Sequence, residues 1–380
     1  MTRDGPDQRA AAAALLDLPG MTPVRLAGLL DGFRPALAWS AVRAGTHPAD
    51  PDRRFASAAR GLDPGEVGRR YRQAGVDVLL VDSPGYPAAL VGDPGAPVVL
   101  CAVGDPGVLE ARPAVAVVGT RSATPYGTRV ASQLGRDLAA AGVVVVSGLA
   151  RGVDAAAHSG ALAAGPGAAP PVAVVGTGAD VPYPRENRML WDRVARSGAV
   201  LSEAALGTPA RPRVFPARNR IIAALSDVVV VVESHRGGGS LYTAEAAARR
   251  AIPVCAVPGS VLSRASTGTN GLLVDGCVPV RDAADVLTAV SLARQGKGMA
   301  PPAPVGGGGG AVPRGDRSPA GPPPTDRVQR SVWEAVDDTP TTAETVLLRT
   351  DLSLSAVTAA SEELVAAGLL TAGAGWWCRA

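Results

Sequence analysis

Arg121, Arg151, Arg211, Arg213, Arg218 and Arg220 are the side chains of this sequence best suited to gripping an anion, and Phe215 lies among them. A guanidinium forks onto phosphate oxygens through parallel hydrogen bonds. An aromatic ring between such groups offers a face for a base, the combination that single-stranded nucleic acid requires. A second reading stays open at this point, with Phe215 plugging a core and the arginines facing solvent. The surrounding stretch, residues 214–250, reads as helix, buried strand, glycine loop and helix. Pro216 suits a first helical turn, where a missing N–H costs nothing. Arg218, Asn219 and Arg220 then fall near a helix end whose free N–H groups favour an anion. Residues 228–232 are five valines, too few for a membrane span and β-branched, as a strand buried on both faces requires. Gly237, Gly238 and Gly239 allow close backbone approach to a ligand before a helix begins near Ser240.

Other chemistries fit less well. A dinucleotide site needs Gly-x-Gly-x-x-Gly after the first strand, but Gly176-Thr177-Gly178 lacks the third glycine and Gly119 is followed at once by Thr120 and Arg121. A P-loop needs Gly-Lys-Ser/Thr, which is absent from the chain, and no cofactor is expected. Asp154 and His158 stand one helical turn apart and could share a face. They suit a catalytic pair less than a loop-orienting aspartate beside a histidine bonded to backbone. No Gly-x-Ser-x-Gly nucleophile elbow occurs, and no catalytic residue is assigned.

The supporting elements follow from the apolar pattern. Short apolar runs at 76–81 and 98–103 precede an alternation of strands and helices, with strands expected at 115–118, 143–146, 172–175, 199–202, 228–232, 254–257 and 278–280. This predicts an α/β fold, an extended Rossmann-like parallel sheet with helices on both faces. Ligands bind such sheets beyond the carboxyl ends of the strands. Those ends carry Gly119-Thr120-Arg121-Ser122, Ser147-Gly148, Gly176-Thr177-Gly178, Glu203, Glu233, the Gly239-Ser240 turn and Gly259. Residues 1–70 read as a small α-helical domain resembling a helix-hairpin-helix or SAM unit, residues 71–294 as the Rossmann-like domain, and 295–325 as a proline- and glycine-rich linker. Residues 326–380 read as a winged-helix-like domain, whose expected third helix carries Glu362 and Glu363 and no Arg or Lys. A DNA-reading helix is normally basic.

Composition bounds the partners. The 380 residues are 47% hydrophobic but only 3% aromatic, and the net charge is +3. A nucleic-acid site must therefore be a local patch rather than the whole surface. Lys297 is the sole lysine, so arginine carries nearly all the positive charge. Cys101, Cys255, Cys277 and Cys378 form no CxxC pair, which points to reduced thiols and to no metal site. No signal peptide or membrane-length run is visible, and a cytoplasmic protein is expected.

Eight motifs in order give a family resemblance. They are Val-Val-Gly-Thr-Arg-Ser-Ala-Thr-Pro-Tyr-Gly at 117–127, Ser-Gly-Leu-Ala-Arg-Gly-Val-Asp-Ala-Ala-Ala-His at 147–158, Tyr-Pro-Arg-Glu-Asn at 183–187, Leu-Ser-Glu at 201–203, Phe-Pro-Ala-Arg-Asn-Arg-Ile-Ile at 215–222, Gly-Ser-Leu-Tyr-Thr-Ala-Glu at 239–245, Val-Pro-Gly at 257–259 and Gly-Thr-Asn at 268–270. Together they resemble the DNA-processing protein A (DprA/Smf) family over roughly residues 75 to 290. The resemblance implies single-stranded DNA binding without enzymatic turnover, protection of incoming strands, and loading of the RecA recombinase during natural transformation and DNA recombination. It further implies displacement of single-strand-binding protein and a homodimer. Carried over by motif, Arg121 and Ser122 would grip a phosphate, and Gly119, Ser147 and Gly148 would shape the pocket. Phe215, Arg218, Asn219 and Arg220 would line the strand's path, with Gly239 and Ser240 beside them. Arg211 and Arg213 stand where relatives often place a lysine.

A competitor of another class is a nucleoside-monophosphate phosphoribohydrolase of related fold, with Glu245 acting on a glycosidic bond. Against it, Arg236 replaces the proline of that family's loop, and Ser240, Leu241 and Tyr242 separate the last glycine from Thr243. A protein-interaction scaffold is the third reading.

Overall fold

The computed structural model describes residues 5–81, 83–110, 112–211, 214–295, 324–336, 341–373 and 376–379. The linker expected over 295–325 lies almost wholly outside them. The chain divides into two compact units, Met1–Ala210 with Arg218–Pro301, and Arg211–Ala217 with Pro302–Ala380.

The first unit opens with five helices, α1 (Pro6–Leu16), α2 (Pro23–Leu30), α3 (Pro35–Ala44), α4 (Ala56–Arg60) and α5 (Pro64–Gln73). Proline begins four of them, the position where its absent N–H and fixed φ cost nothing. Thr22 caps α2 by accepting from Arg25 N at 3.3 Å. Arg25 Nη1 in turn donates to Gly20 O at 2.6 Å, so the turn resembling a helix-hairpin-helix is closed by its own side chains. These helices share one core with the edge of the sheet, in which Leu15, Leu29 and Tyr71 pack with Val78, Leu80 and Val99. The Tyr71 hydroxyl donates to Asp17 Oδ1 at 2.7 Å and accepts from Leu206 N at 3.0 Å, joining three segments far apart in sequence.

Two strands, β1 (Asp77–Leu80) and β2 (Val99–Gly104), pair antiparallel. No long crossover helix lies between them, and a parallel pairing would need one. The body then alternates: β3 (Ala114–Val118), α6 (Pro125–Ala140), β4 (Val144–Ser147), α7 (Val153–Leu162), β5 (Val172–Val174), α8 (Arg188–Ser197), β6 (Ala199–Ser202), α9 (Val214–Ala224), β7 (Val228–Val231), α10 (Leu241–Ala248), β8 (Val254–Ala256), α11 (Thr267–Val274), β9 (Val278–Pro279) and α12 (Ala283–Arg294). Each strand falls within two residues of its expected bounds. The nine-stranded sheet runs β1-β2-β6-β5-β4-β3-β7-β8-β9, and β6 through β9 are parallel. Both faces are covered. Ala114, Ala116 and Val118 of β3 pack toward α9 and α10, while Val115 and Val117 pack toward α6, α7 and α12. Burial on two sides is why these strands read as unbroken apolar runs instead of alternating ones.

In the second unit α13 (Arg327–Ala335), β10 (Thr341–Thr342), α14 (Ala343–Arg349), α15 (Leu354–Ala366), β11 (Leu370–Gly373) and β12 (Trp376–Arg379) follow in order. The strands form a three-stranded antiparallel sheet, β10-β12-β11. Val332, Val346, Val357 and Leu364 fill its core. The exposed side of α15 shows Ser355, Thr358, Ala359, Glu362 and Glu363, which presents no cation to a DNA groove.

Candidate nucleic-acid interface

Strand order reverses between β3 and β7, and the loops after these strands diverge to opposite sides of the sheet. That switch point is where open α/β sheets take ligands. Here the two loops are tied together: Thr120 N donates to Glu233 O at 2.7 Å. The Glu233 side chain, 1% exposed, turns onto the start of α6. Its carboxylate accepts from Thr124 N at 2.9 Å and from Thr124 Oγ1 at 2.5 Å. A helix N-terminus attracts an anion, and this one is filled by the protein's own carboxylate. Gly127 leaves room for it, since a Cβ there would run into the Glu233 carboxylate. The helix end that holds a pyrophosphate in a dinucleotide site is therefore occupied from within. Beside Glu233 a cleft of about 500 Å3 opens, its lining residues including Thr124, Tyr126, Ser260, Ser263 and Ser266. It carries no guanidinium among its lining residues.

The β4–α7 loop is built around Asp154. This carboxylate, 6% exposed, accepts from Gly148 N at 3.1 Å and from Ala150 N at 3.4 Å. Burial pushes it up, opposed by the charge of Arg218 and by these amides. Asn187 Nδ2 holds the same loop from outside, donating to Leu149 O at 2.9 Å and Ala150 O at 3.2 Å. Gly152 has φ +71°, and a Cβ there would meet the carbonyls of Thr120 and Arg121. The β4 loop thus backs directly onto the β3 loop, and the two fix one another's shape. Ser147 Oγ, fully buried, donates to Val117 O at 2.7 Å and so joins the strands beneath. His158 is buried as well, with Nε2 at 3.2 Å from Val172 O. Asp154 and His158 each serve backbone groups, matching the loop-orienting reading of the sequence.

Arg218 and Arg220, expected along a strand's path, are buried at 4% and 8% exposure. Arg218 Nη1 donates to Val174 O. Its guanidinium also lies where a Cβ on Gly148 would fall. Burial lowers Arg218 to about 10, countered by Asp154 and reinforced by nearby Arg121, so it keeps its charge at neutral pH. Arg220 forks onto Glu203, Nη1 to Oε1 at 2.8 Å and Nη2 to Oε2 at 2.6 Å. Both side chains face protein acceptors, which sequence reasoning missed because burial is a tertiary property. Asn219 Nδ2 donates to Gly239 O at 3.1 Å. Ser240 Oγ, also buried, meets Ser234 Oγ at 3.0 Å. The Gly237–Ser240 turn is thereby seated by α9 and the loop after β7, while Gly239 itself is exposed with open space above it.

Besides Gly239, the exposed members of the expected set in the first unit include Arg121 and Ser122 on the β3 loop. Gly119 beneath them is crowded by Val153 and Glu233 O. Arg151 is exposed and ion-paired with Glu186. Arg211 is exposed, Phe215 is half-buried on α9, and Arg213 lies outside the described residues. Arg211 and Phe215 fall in the second unit. Glu203 and Glu233 were visible in the sequence as acids at strand ends. Their internal partners were not. Among the described residues no cluster of three His, Cys, Asp or Glu could hold a metal, and no helix is long and apolar enough to cross a membrane.

The fold and this edge define a class: a Rossmann-like protein whose dinucleotide end is closed from within and whose switch point presents a guanidinium on a braced loop. The profile of the DNA recombination-mediator protein A family matches residues 77–291, and the chain belongs to that family. It is 36% identical over 216 residues to DNA processing protein DprA of Bacillus subtilis, covering 57% of this chain and 72% of that protein. Against the putative DNA processing protein DprA of Mycobacterium tuberculosis the identity is 44% over 193 residues, 50% of this chain and 49% of the relative. The crystal structure of DprA from Streptococcus pneumoniae matches with a TM-score of 0.63 at 32% identity, covering 72% of this chain and 95% of that one. A structure of DNA processing protein A from Helicobacter pylori, described for its single-stranded DNA binding mode, matches with a TM-score of 0.50 at 30% identity, covering 58% and 96%.

Proposed function

We propose that this protein binds single-stranded DNA at the β3–β4 loop edge, protects it, and loads a RecA-type recombinase onto it during uptake and recombination. The observation that carries this reading is Arg121, an exposed guanidinium on a loop braced by Glu233 O and Gly152, in a family whose Helicobacter pylori member is described as binding single-stranded DNA. Arg121 and Ser122 contact phosphate, and Gly119, Ser147 and Gly148 shape the loops that present them. Asn219, Gly239 and Ser240 frame the neighbouring turn. Arg211, Arg213 and Phe215 remain strand contacts on the strength of their motif, with rings and guanidiniums supplying stacking and charge. In this reading the protein acts as a cytoplasmic homodimer, displaces single-strand-binding protein and has no turnover of its own.

Oligo-dT binding tests it. Affinity is expected to exceed that for duplex of the same length and to fall with salt as counterions are released. Arg121→Ala should weaken oligo-dT binding by roughly 1–2 kcal/mol, as for a charge-assisted contact, and make the salt slope shallower by about one phosphate. An Arg121→Ala protein that binds like the parent sinks the site. RecA filament growth on strands coated with single-strand-binding protein tests the loading step. Release of adenine from AMP would instead favour the phosphoribohydrolase reading through Glu245, whose carboxyl burial raises to about 7.

A further inference from the structure

We propose that Arg218 never touches the DNA strand and is a positioning residue, a buried guanidinium that locks the β4–α7 loop in the shape that braces Arg121. This deepens the reading above and rests on it. Four observations carry it. Arg218 is 4% exposed, so its guanidinium is closed to a strand. It donates to Val174 O at the end of β5, which fixes it across the sheet edge. It fills the space over Gly148 where a side chain would otherwise stand. Its positive charge opposes the effect of burial on Asp154, the carboxylate that gathers Gly148 N and Ala150 N. The loop so held runs directly to Gly152, which packs on the carbonyls of Thr120 and Arg121. A chain of interactions therefore leads from the buried arginine to the exposed one: the Arg218 guanidinium packs over Gly148 and its charge acts on Asp154, Asp154 holds the Gly148 and Ala150 amides, and the loop so held runs to Gly152 beside Arg121.

Removing Arg218 leaves the Asp154 charge buried without its counterion, an expensive state that the loop relieves by moving. The positioning role and a direct phosphate contact predict different salt behaviour. A phosphate-binding cation takes about one unit of salt slope with it when removed, whereas a positioning residue lowers affinity at constant slope.

The experiment measures oligo-dT affinity across salt for the full chain, Arg218→Gln, Asp154→Asn/Arg218→Gln and Gly148→Ala, with backbone amide exchange read in parallel. Arg218→Gln is expected to weaken binding about tenfold with the parent's slope, in line with loss of one charged buried interaction. The double variant, which carries neutral amides in place of both charges, should recover a large part of that loss. Gly148→Ala leaves both charges in place and pushes the guanidinium aside, so it should weaken binding at constant slope too. It keeps the test open if Arg218→Gln does not fold. Exchange at the Gly148 and Ala150 amides should rise in Arg218→Gln while the α12 amides stay protected, a local change that loss of global stability would not produce. A slope lowered by about one unit in Arg218→Gln would make Arg218 a strand contact and overturn the proposal. So would a double variant no better than the single, or Gly148 and Ala150 amides that stay protected. A parent that binds no oligo-dT fails the proposed function instead, and the amide exchange then still decides the role of Arg218.

Discussion

Replacing Arg220 by alanine is expected to lower the unfolding free energy by about 3–5 kcal/mol, the usual cost of stranding one member of a buried ion pair. The pair is well enclosed, with side chains 9% and 13% exposed. Its fork geometry satisfies both Glu203 oxygens. With the guanidinium gone, the Glu203 carboxyl group at the end of β6 loses its fork partner with water largely shut out. A second ion pair lies close by, Arg250 with Asp93 at 2.5 Å, and the backbone at Gly95 approaches both Arg220 and Arg250. The loss should therefore spread to the segment between β1 and β2. Arg220→Met combined with Glu203→Leu should recover most of the stability, because apolar replacement of a whole buried pair is often neutral or better. Urea denaturation of the three proteins measures both effects. An Arg220→Ala variant as stable as the parent would mean that the pair is open to water in solution.

Acidification provides the second large effect. Burial, with Arg218 adding to it against the Val172 carbonyl, lowers His158 to about 4, far below the ordinary value near 6.5. The folded protein thus holds a neutral ring while the unfolded chain binds a proton below that value. Stability linked to His158 is complete above about pH 6.5 and is lost as the pH falls toward 4, by roughly 3 kcal/mol in all. The geometry explains the direction. Nε2 faces the Val172 carbonyl and must carry the proton, whereas Nδ1 is buried with no hydrogen-bond partner among the described residues. A second proton would create a charged donor facing nothing. His158→Gln should flatten the decline in stability between pH 6.5 and 4 relative to the parent. Asp154, raised by burial, works the other way and gains stability on acidification, but it is common to both proteins. Parallel declines in parent and variant would remove His158 from the acid response.

Much of this molecule is legible in its sequence. Five valines in a row at 228–232 have one stable placement in a chain of this kind, a strand covered on both faces. Prolines at helix starts and glycines after strands mark their elements through local backbone chemistry that no distant contact has to supply. The family motifs located the loops for the same reason: each needs particular residues at adjacent positions. What the sequence could not disclose is which way a polar side chain turns. Arg218, Arg220 and Arg121 are the same residue in similar company, yet two are buried against Val174 O and Glu203 and one is exposed. Glu233 and Glu203 stand alike at strand ends, and one caps α6 while the other neutralises α9. These choices depend on partners that are not sequence neighbours, Thr124 for Glu233, Val174 O for Arg218 and Glu203 for Arg220, which meet only when the sheet orders its strands. The motif order thus determined the family and marked the strand-end edge that carries the proposed site. The tertiary structure decided which arginines that edge exposes, because desolvation and pairing exist only once the strands have met.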